Sequence, residues 1–160
     1  MPTNQGFEAV AVLVAGPFKG AIVAFAERYT RGSGFHTGWI WVAGQPRRLL
    51  LRDMDGFDIT DAAGLPDGGL LILERYFRVG ADGRKDQRMR IRRLQASELE
   101  SGARLVGHTV AEANSDYEID NMEGLAVHRG ARGETVVTLL SDDNLNPNQR
   151  TLFLQFTLRA

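Results

Sequence analysis

The chain has 160 residues, 43% of them apolar and 24% charged, with a formal net charge of −1. That length suits one domain with a core of its own, and the near-neutral charge excludes a global field pulling the chain toward nucleic acid or membrane. With no cysteine, the sequence excludes disulfides, thiolate zinc sites and a cysteine nucleophile.

The apolar stretches are short and mostly strand-like. In chain order they are Phe7 to Val14, Ala21 to Ala26, Gly38 to Ala43, Arg47 to Arg52, Gly69 to Glu74, Arg88 to Leu94, Gly124 to His128, Thr135 to Leu140 and Thr151 to Leu158. Turn signals separate them: AGPFKG, PDGG, GADGRKD, RGARGE and DDNLNPN. In Pro66-Asp67-Gly68-Gly69, Pro presets φ and Gly permits a positive φ. Ala96 to Ser101 is the one helical turn expected. In RMRIRR, Arg88 to Arg93, Met89 and Ile91 face one way and Arg88, Arg90 and Arg92 the other. That alternation predicts an outer strand with a basic side turned to solvent. The acid-rich DMDGFDITD, Asp53 to Asp61, reads as a solvated loop between units, with Asp61 as the member that points inward. No run approaches the roughly 20 apolar residues of a membrane helix. The start MPTNQGFEAV shows no basic segment followed by an apolar stretch, so no signal peptide is expected in this chain.

Three segments share a pattern: FEAVAVLVAGPFKGAIVAFAER, TDAAGLPDGGLLILER and MEGLAVHRGARGETVVTLLSDD. Each opens on an acid followed by small and apolar residues, turns at a glycine, and then runs into a strand that ends on an acid. The opening acids are Glu8, Asp61 and Glu123, 53 and 62 positions apart; the closing acids are Glu27, Glu74 and Asp142. The period is near the roughly 40 to 50 residues of a propeller blade with lengthened loops. The expectation is an all-β, β-propeller-like domain over residues 1–160, with about three blades of antiparallel sheet at roughly 4–52, 53–113 and 114–160. Propellers close with roughly 4 to 8 blades. Three units therefore call for a homodimer, a missing N-terminal half, or another closure such as a sandwich.

Asp120 to Ala126 (DNMEGLA) and Leu140 to Phe156 (LSDDNLNPNQRTLFLQF) resemble the C-terminal signature of the phytase-like family, bacterial proteins described as having esterase-like activity of phytase. Asp55 to Arg75 is similar to the preceding blade of that family, and Asn4 to Val12 to its blade opening. The resemblance covers nearly the whole chain. It implies a β-propeller related to calcium-using hydrolases of phosphate esters, and a periplasmic or secreted setting. Family members are usually about twice as long and carry an export signal, which this chain does not show; without one, the cytoplasm is the expected compartment.

The repeated acids are the best candidate site. In a propeller, equivalent positions converge on one axis, so Glu8, Asp61 and Glu123 would ring one mouth, with Glu27, Glu74 and Asp142 near the same end. Carboxylates that close need a cation or arginine partners. Oxygen ligands suit calcium or magnesium. Alternatively, Glu27-Arg28 and Glu74-Arg75 pair with neighbouring blades and only hold the ring together. In the DDNLNPN hinge, Pro147 and Phe153 stand where an EF-hand requires Gly and Glu, so that loop is excluded. Asp142 and Asp143 could still ligate calcium in a site of another shape, or the hinge is a run of Asx turns. Arg150 either binds phosphate or pairs with Asp143. As an enzyme, the chain would use Glu123 as base and Arg75 and Arg150 as clamps on a small anionic phosphate ester. No organic cofactor and no nucleic-acid or membrane partner is expected. There is no GxSxG elbow, and the histidines His36, His108 and His128 lack ligand spacing. Gly32-Ser33-Gly34 reads as a loop, since no strand–helix unit surrounds it. Against the hydrolase stand a non-catalytic propeller that binds a ligand or protein, and an inactive fragment of a longer one.

Overall fold

Alternating side chains make most of this chain antiparallel strand. The computed structural model describes residues 6–26, 34–101 and 104–159. In chain order, its strands are β1 (Phe7–Val12), β2 (Ile22–Ala26), β3 (Phe35–Val42), β4 (Gln45–Arg52), β5 (Asp58–Gly64), β6 (Leu70–Val79) and β7 (Lys85–Leu94). After the short helix α1 (Ala96–Ser101) come β8 (Arg104–Leu105), β9 (His108–Asn114), β10 (Met122–Arg129), β11 (Thr135–Ser141) and β12 (Phe153–Leu158). The fold is all-β, in three sheets. The first has the order β1-β2-β3-β4-β8, the second β5-β6-β7-β9 and the third β10-β11-β12. Among the described residues each is an antiparallel meander apart from β8, which crosses from the second unit to pair with β4 in parallel.

Tight turns drive the meanders. At the predicted Pro66 turn, Gly68 adopts a φ of +89°, the Gly68 amide donates to the Leu65 carbonyl, and Asp67 accepts from the Gly69 amide. Helix α1 is closed by Glu98, whose carboxylate accepts from the Gln95 and Gly107 amides at 2.9 Å each.

The first strands of the sheets are neighbours: β5 packs between β1 and β10. All three run the same way. The ends of β1 and β5 meet where a Cβ on Gly64 would lie 2.3 Å from the Val12 carbonyl oxygen. The starts of β5 and β10 meet where Thr60 donates to the Met122 carbonyl at 3.1 Å. One apolar core, including Leu13, Val23, Phe25, Leu51, Ile59 and Ile72, fills the seam between the first and second sheets. Another, including Leu71, Leu73, Ile91, Met122 and Leu139, fills the seam between the second and third.

Two sequence expectations are corrected here. Asp53 to Asp61 is not mostly solvated loop: β5 starts at Asp58, Phe57 and Ile59 are buried, and this is the innermost strand of the middle sheet. Nor does RMRIRR present a basic side to water, because Arg90 and Arg92 are buried in β7. The middle sheet is covered on both faces, so the polar side of β7 lands in the seam with the first sheet. There the fully buried Glu74 accepts from Arg90 Nε at 2.9 Å and from Arg92. Arg90 also reaches Asp55 and the Met54 carbonyl and lies 4.0 Å above the Phe57 ring. Arg92 donates to the carbonyls of Arg52 and Val106.

Candidate functional site

Each inner strand carries a β-bulge near its start: between Phe7 and Ala9 in β1, Ile59 and Asp61 in β5, and Met122 and Gly124 in β10. The extra residues are Glu8, Thr60 and Glu123. The structural repeat therefore aligns Thr60, not Asp61, with Glu8 and Glu123. The closing positions move likewise. Ala26, Glu74 and Ser141 are equivalent partners across the ladder, so Arg75 and Asp142 correspond. The middle unit is offset by one residue from the acid-based alignment, and one residue reverses the face of a side chain. Glu74 and Arg75 accordingly serve opposite seams.

The seam between the second and third sheets gathers polar groups at the bulged end. Asp61 accepts from the Leu125 amide at 2.6 Å and from its neighbour Ala62 at 2.8 Å, pinning β5 to β10. Arg75 Nη1 lies 3.0 Å from Glu123 Oε1. The same Nη1 donates to Asn121 Oδ1, and Asn121 Nδ2 donates to Glu123 Oε1 at 2.9 Å. Arg75 and Glu123 are 23% and 37% exposed, so this pair meets solvent, unlike buried Glu74.

Asp142 and Asp143 belong to a loop built from Asx turns. Asp142 accepts from the Asn144 amide, Asp143 from Leu145 and Asn146 from Asn148. The second oxygen of Asp143 takes the Thr151 hydroxyl. The Leu145 amide, then Thr151, hold the Asp143 carboxyl below its ordinary value. Arg150 does not pair with Asp143; its Nη1 lies 2.6 Å from Glu118 on the preceding connection. Glu8 is exposed on its bulge. Glu27, Gly32 and Ser33 lie outside the described residues.

A calcium ion needs about six to eight oxygen ligands. The carboxylates of Asp61, Glu74, Glu123, Asp142 and Asp143 are engaged by amides, hydroxyls or guanidinium groups, and among the described residues no three His, Asp or Glu side chains are grouped to hold a metal. Asp120 and Asn121, which sequence reasoning left without a role, do contribute to the site. Their only signal was a place in the DNMEGLA motif.

Burial raises the Asp61 carboxyl above its ordinary 3.8, against the Leu125 and Ala62 amides, which act to lower it. A folded value above the unfolded one means that the stability this group contributes is complete below 3.8 and is lost as pH rises through the raised value. Asp61→Asn does not titrate. Its melting temperature minus that of wild type should therefore increase as pH is raised from about 3 to 7. A difference that stays flat across the series would contradict this.

An all-β protein of three stacked antiparallel sheets, with a bulge-end cluster of Arg, Asn and Glu, is the class that these features define. The chain belongs to the phytase-like family, described as having esterase-like activity of phytase, whose model matches residues 1–145. No curated protein matches it. Among solved structures it is similar to a protein of unknown function from Bacteroides caccae, with 14% identity and a TM-score of 0.44 over 99% of this chain and 48% of that one. The chain thus spans about half the length of that protein.

Proposed function

We propose that this chain is an esterase-like hydrolase acting on small phosphate esters, with Arg75 as the anion clamp and Glu123 as the base. The observation that carries the reading is the part-exposed Arg75–Glu123 pair, which brings opposite charges from two sheets to one seam. An incoming phosphoryl group competes for the Arg75 guanidinium, whose planar fork suits phosphate oxygens. The Glu123 carboxylate so displaced takes a proton from water. The water oxygen bonds to phosphorus, the phosphorus–oxygen bond to the leaving group breaks, and the departing oxyanion takes a proton from solvent while Glu123 returns its own to solvent. Arg75 balances the charge on the phosphoryl oxygens. Family membership supports the reaction class. Arg150, paired with Glu118, would serve as an outer clamp after exchanging partners.

The experiment is turnover of an aryl phosphate and an aryl acetate by wild type and by Glu123→Gln. A phosphate-dependent rise in melting temperature without turnover would favour the non-catalytic ligand-binding module instead.

The three sheets are read as blade-like units of a propeller, approximately 4–52, 53–113 and 114–160. The shared direction and adjacency of β1, β5 and β10 support this. The outer face of the first sheet exposes Val10, Val12 and Ile22 beside a groove of about 700 Å³ that Phe18 and Trp41 also line. Phe7 packs edge-on to Trp39 at 5.3 Å on the same face. A further sheet of the same build would cover it, from a second copy or from the N-terminal half of a longer polypeptide. Light scattering on the purified chain separates the two. Twice 17.7 kDa is expected for ring closure by a second copy, and a stable monomer would rule that copy out. A periplasmic or secreted location follows from the family reading and remains part of this proposal.

A further inference from the structure

Beside the two charged groups of the proposed site, and bonded to both, sits a neutral one. Asn121 is 3% exposed, and each of its polar atoms is used. Its Oδ1 accepts from Arg75, and its Nδ2 donates to Glu123 Oε1 at 2.9 Å. Its backbone amide donates to Asp120 Oδ1 at 2.9 Å, and its carbonyl accepts from the Asp142 amide at 2.9 Å. An uncharged amide offers an acceptor to a cation and a donor to an anion on two separate atoms. An aspartate here would repel Glu123, and an aliphatic residue would release both partners.

The backbone of Asn121 is fixed in turn. Asp120 Oδ2 accepts from the Arg150 amide at 3.0 Å, while Oδ1 lies 3.5 Å from Gln149 Nε2. Ser141 donates its hydroxyl to the Arg150 carbonyl at 2.6 Å and accepts from the Leu152 amide at 2.7 Å. The Asx-turn loop at residues 142–150 is thereby tied to the residue that orients Arg75 and Glu123.

We infer that Asn121 is a positioning residue for the phosphate-ester site, holding the Arg75 fork and the Glu123 carboxylate in register, with Asp120 and the 142–150 loop as its support. The inference rests on the functional reading above. It acts through Arg75 and Glu123, so its removal should lower kcat far more than it changes KM. Misplacing reacting groups by about 1 Å can cost about 10²-fold in rate.

The test compares wild type, Asn121→Asp and Asn121→Leu in two measurements. In aryl phosphate turnover, both variants should lose about 10²-fold in kcat with KM within a few-fold. In NMR, the Arg75 Nε–Hε resonance should shift and broaden in both. Folded variants with wild-type kcat and an unmoved Arg75 resonance would overturn the inference. If wild type itself shows no turnover, the functional reading fails, while the Arg75 resonance still decides whether Asn121 positions it. If neither variant folds, hydrogen exchange of the Asn121 side-chain amide in wild type decides: slow exchange supports its fixed role, and exchange at the free-amide rate refutes it.

Discussion

Glu74→Gln should destabilise this protein more than any other single exchange of similar size. Glu74 is fully buried and receives guanidinium groups from Arg90 and Arg92, themselves buried. The glutamine keeps the shape and removes the charge. Arg90 then retains Asp55, 74% exposed at the rim, and Arg92 only the carbonyls of Arg52 and Val106. Breaking a buried ion pair from one side costs about 3–5 kcal/mol, because a charge is left in a medium that solvates it poorly. Total stability is about 5–15 kcal/mol for an ordinary domain, so the loss is a large share of it. The melting temperature should fall by about 10 °C in a chain of this length. Replacing all three residues together, as Glu74→Leu, Arg90→Met and Arg92→Met, should recover most of the loss, since no charge remains to be solvated. Urea unfolding of the two variants against wild type checks both halves. A triple variant no better than Glu74→Gln would show that the seam depends on the hydrogen bonds to Met54, Arg52 and Val106, not on charge balance.

For Glu123→Gln, the expected result is loss of hydrolysis with the fold kept. The side chain is part-exposed on a bulge, so its amide can still meet Arg75 Nη1 and stability should change little. It cannot accept a proton from water. General-base contributions run to about 10²–10⁴-fold, and kcat on an aryl phosphate should fall by that order. Arg75→Gln should instead raise KM for the phosphate more than for an uncharged aryl acetate, because the anion loses its clamp while the ester never used its full charge. Steady-state kinetics on both substrates separates the two roles. Undiminished kcat in Glu123→Gln would remove the base and the mechanism with it.

Much of the fold was legible from local patterns. The strands at Ala21 to Ala26, Arg47 to Arg52 and Thr135 to Leu140 fall within a residue or two of the observed β2, β4 and β11, because alternation and turn chemistry act over a few residues. β5 escaped notice for a physical reason. The innermost strand must let neighbouring backbones approach closely, so it carries Ala62, Ala63 and Gly64, which lack the bulky pattern of an ordinary strand. The site was harder to read. Arg75 and Asn121 are separated by 46 positions, and their meeting depends on which way each strand's side chains face. Matching acid to acid set the middle unit one residue out, because its bulge position holds Thr60 and its acid, Asp61, is the next residue.

From the sequence alone came an all-β chain, its turns, its internal repeat and a resemblance that its family membership bears out. The tertiary structure alone decided which side chains meet. Arg90 and Arg92 are buried, Glu74 and Arg75 serve different seams, and Asn121 bonds to both Arg75 and Glu123. The reason is that a period of two distinguishes the two faces of a strand but says nothing about what covers either of them. Only the stacking of one sheet on the next supplies that.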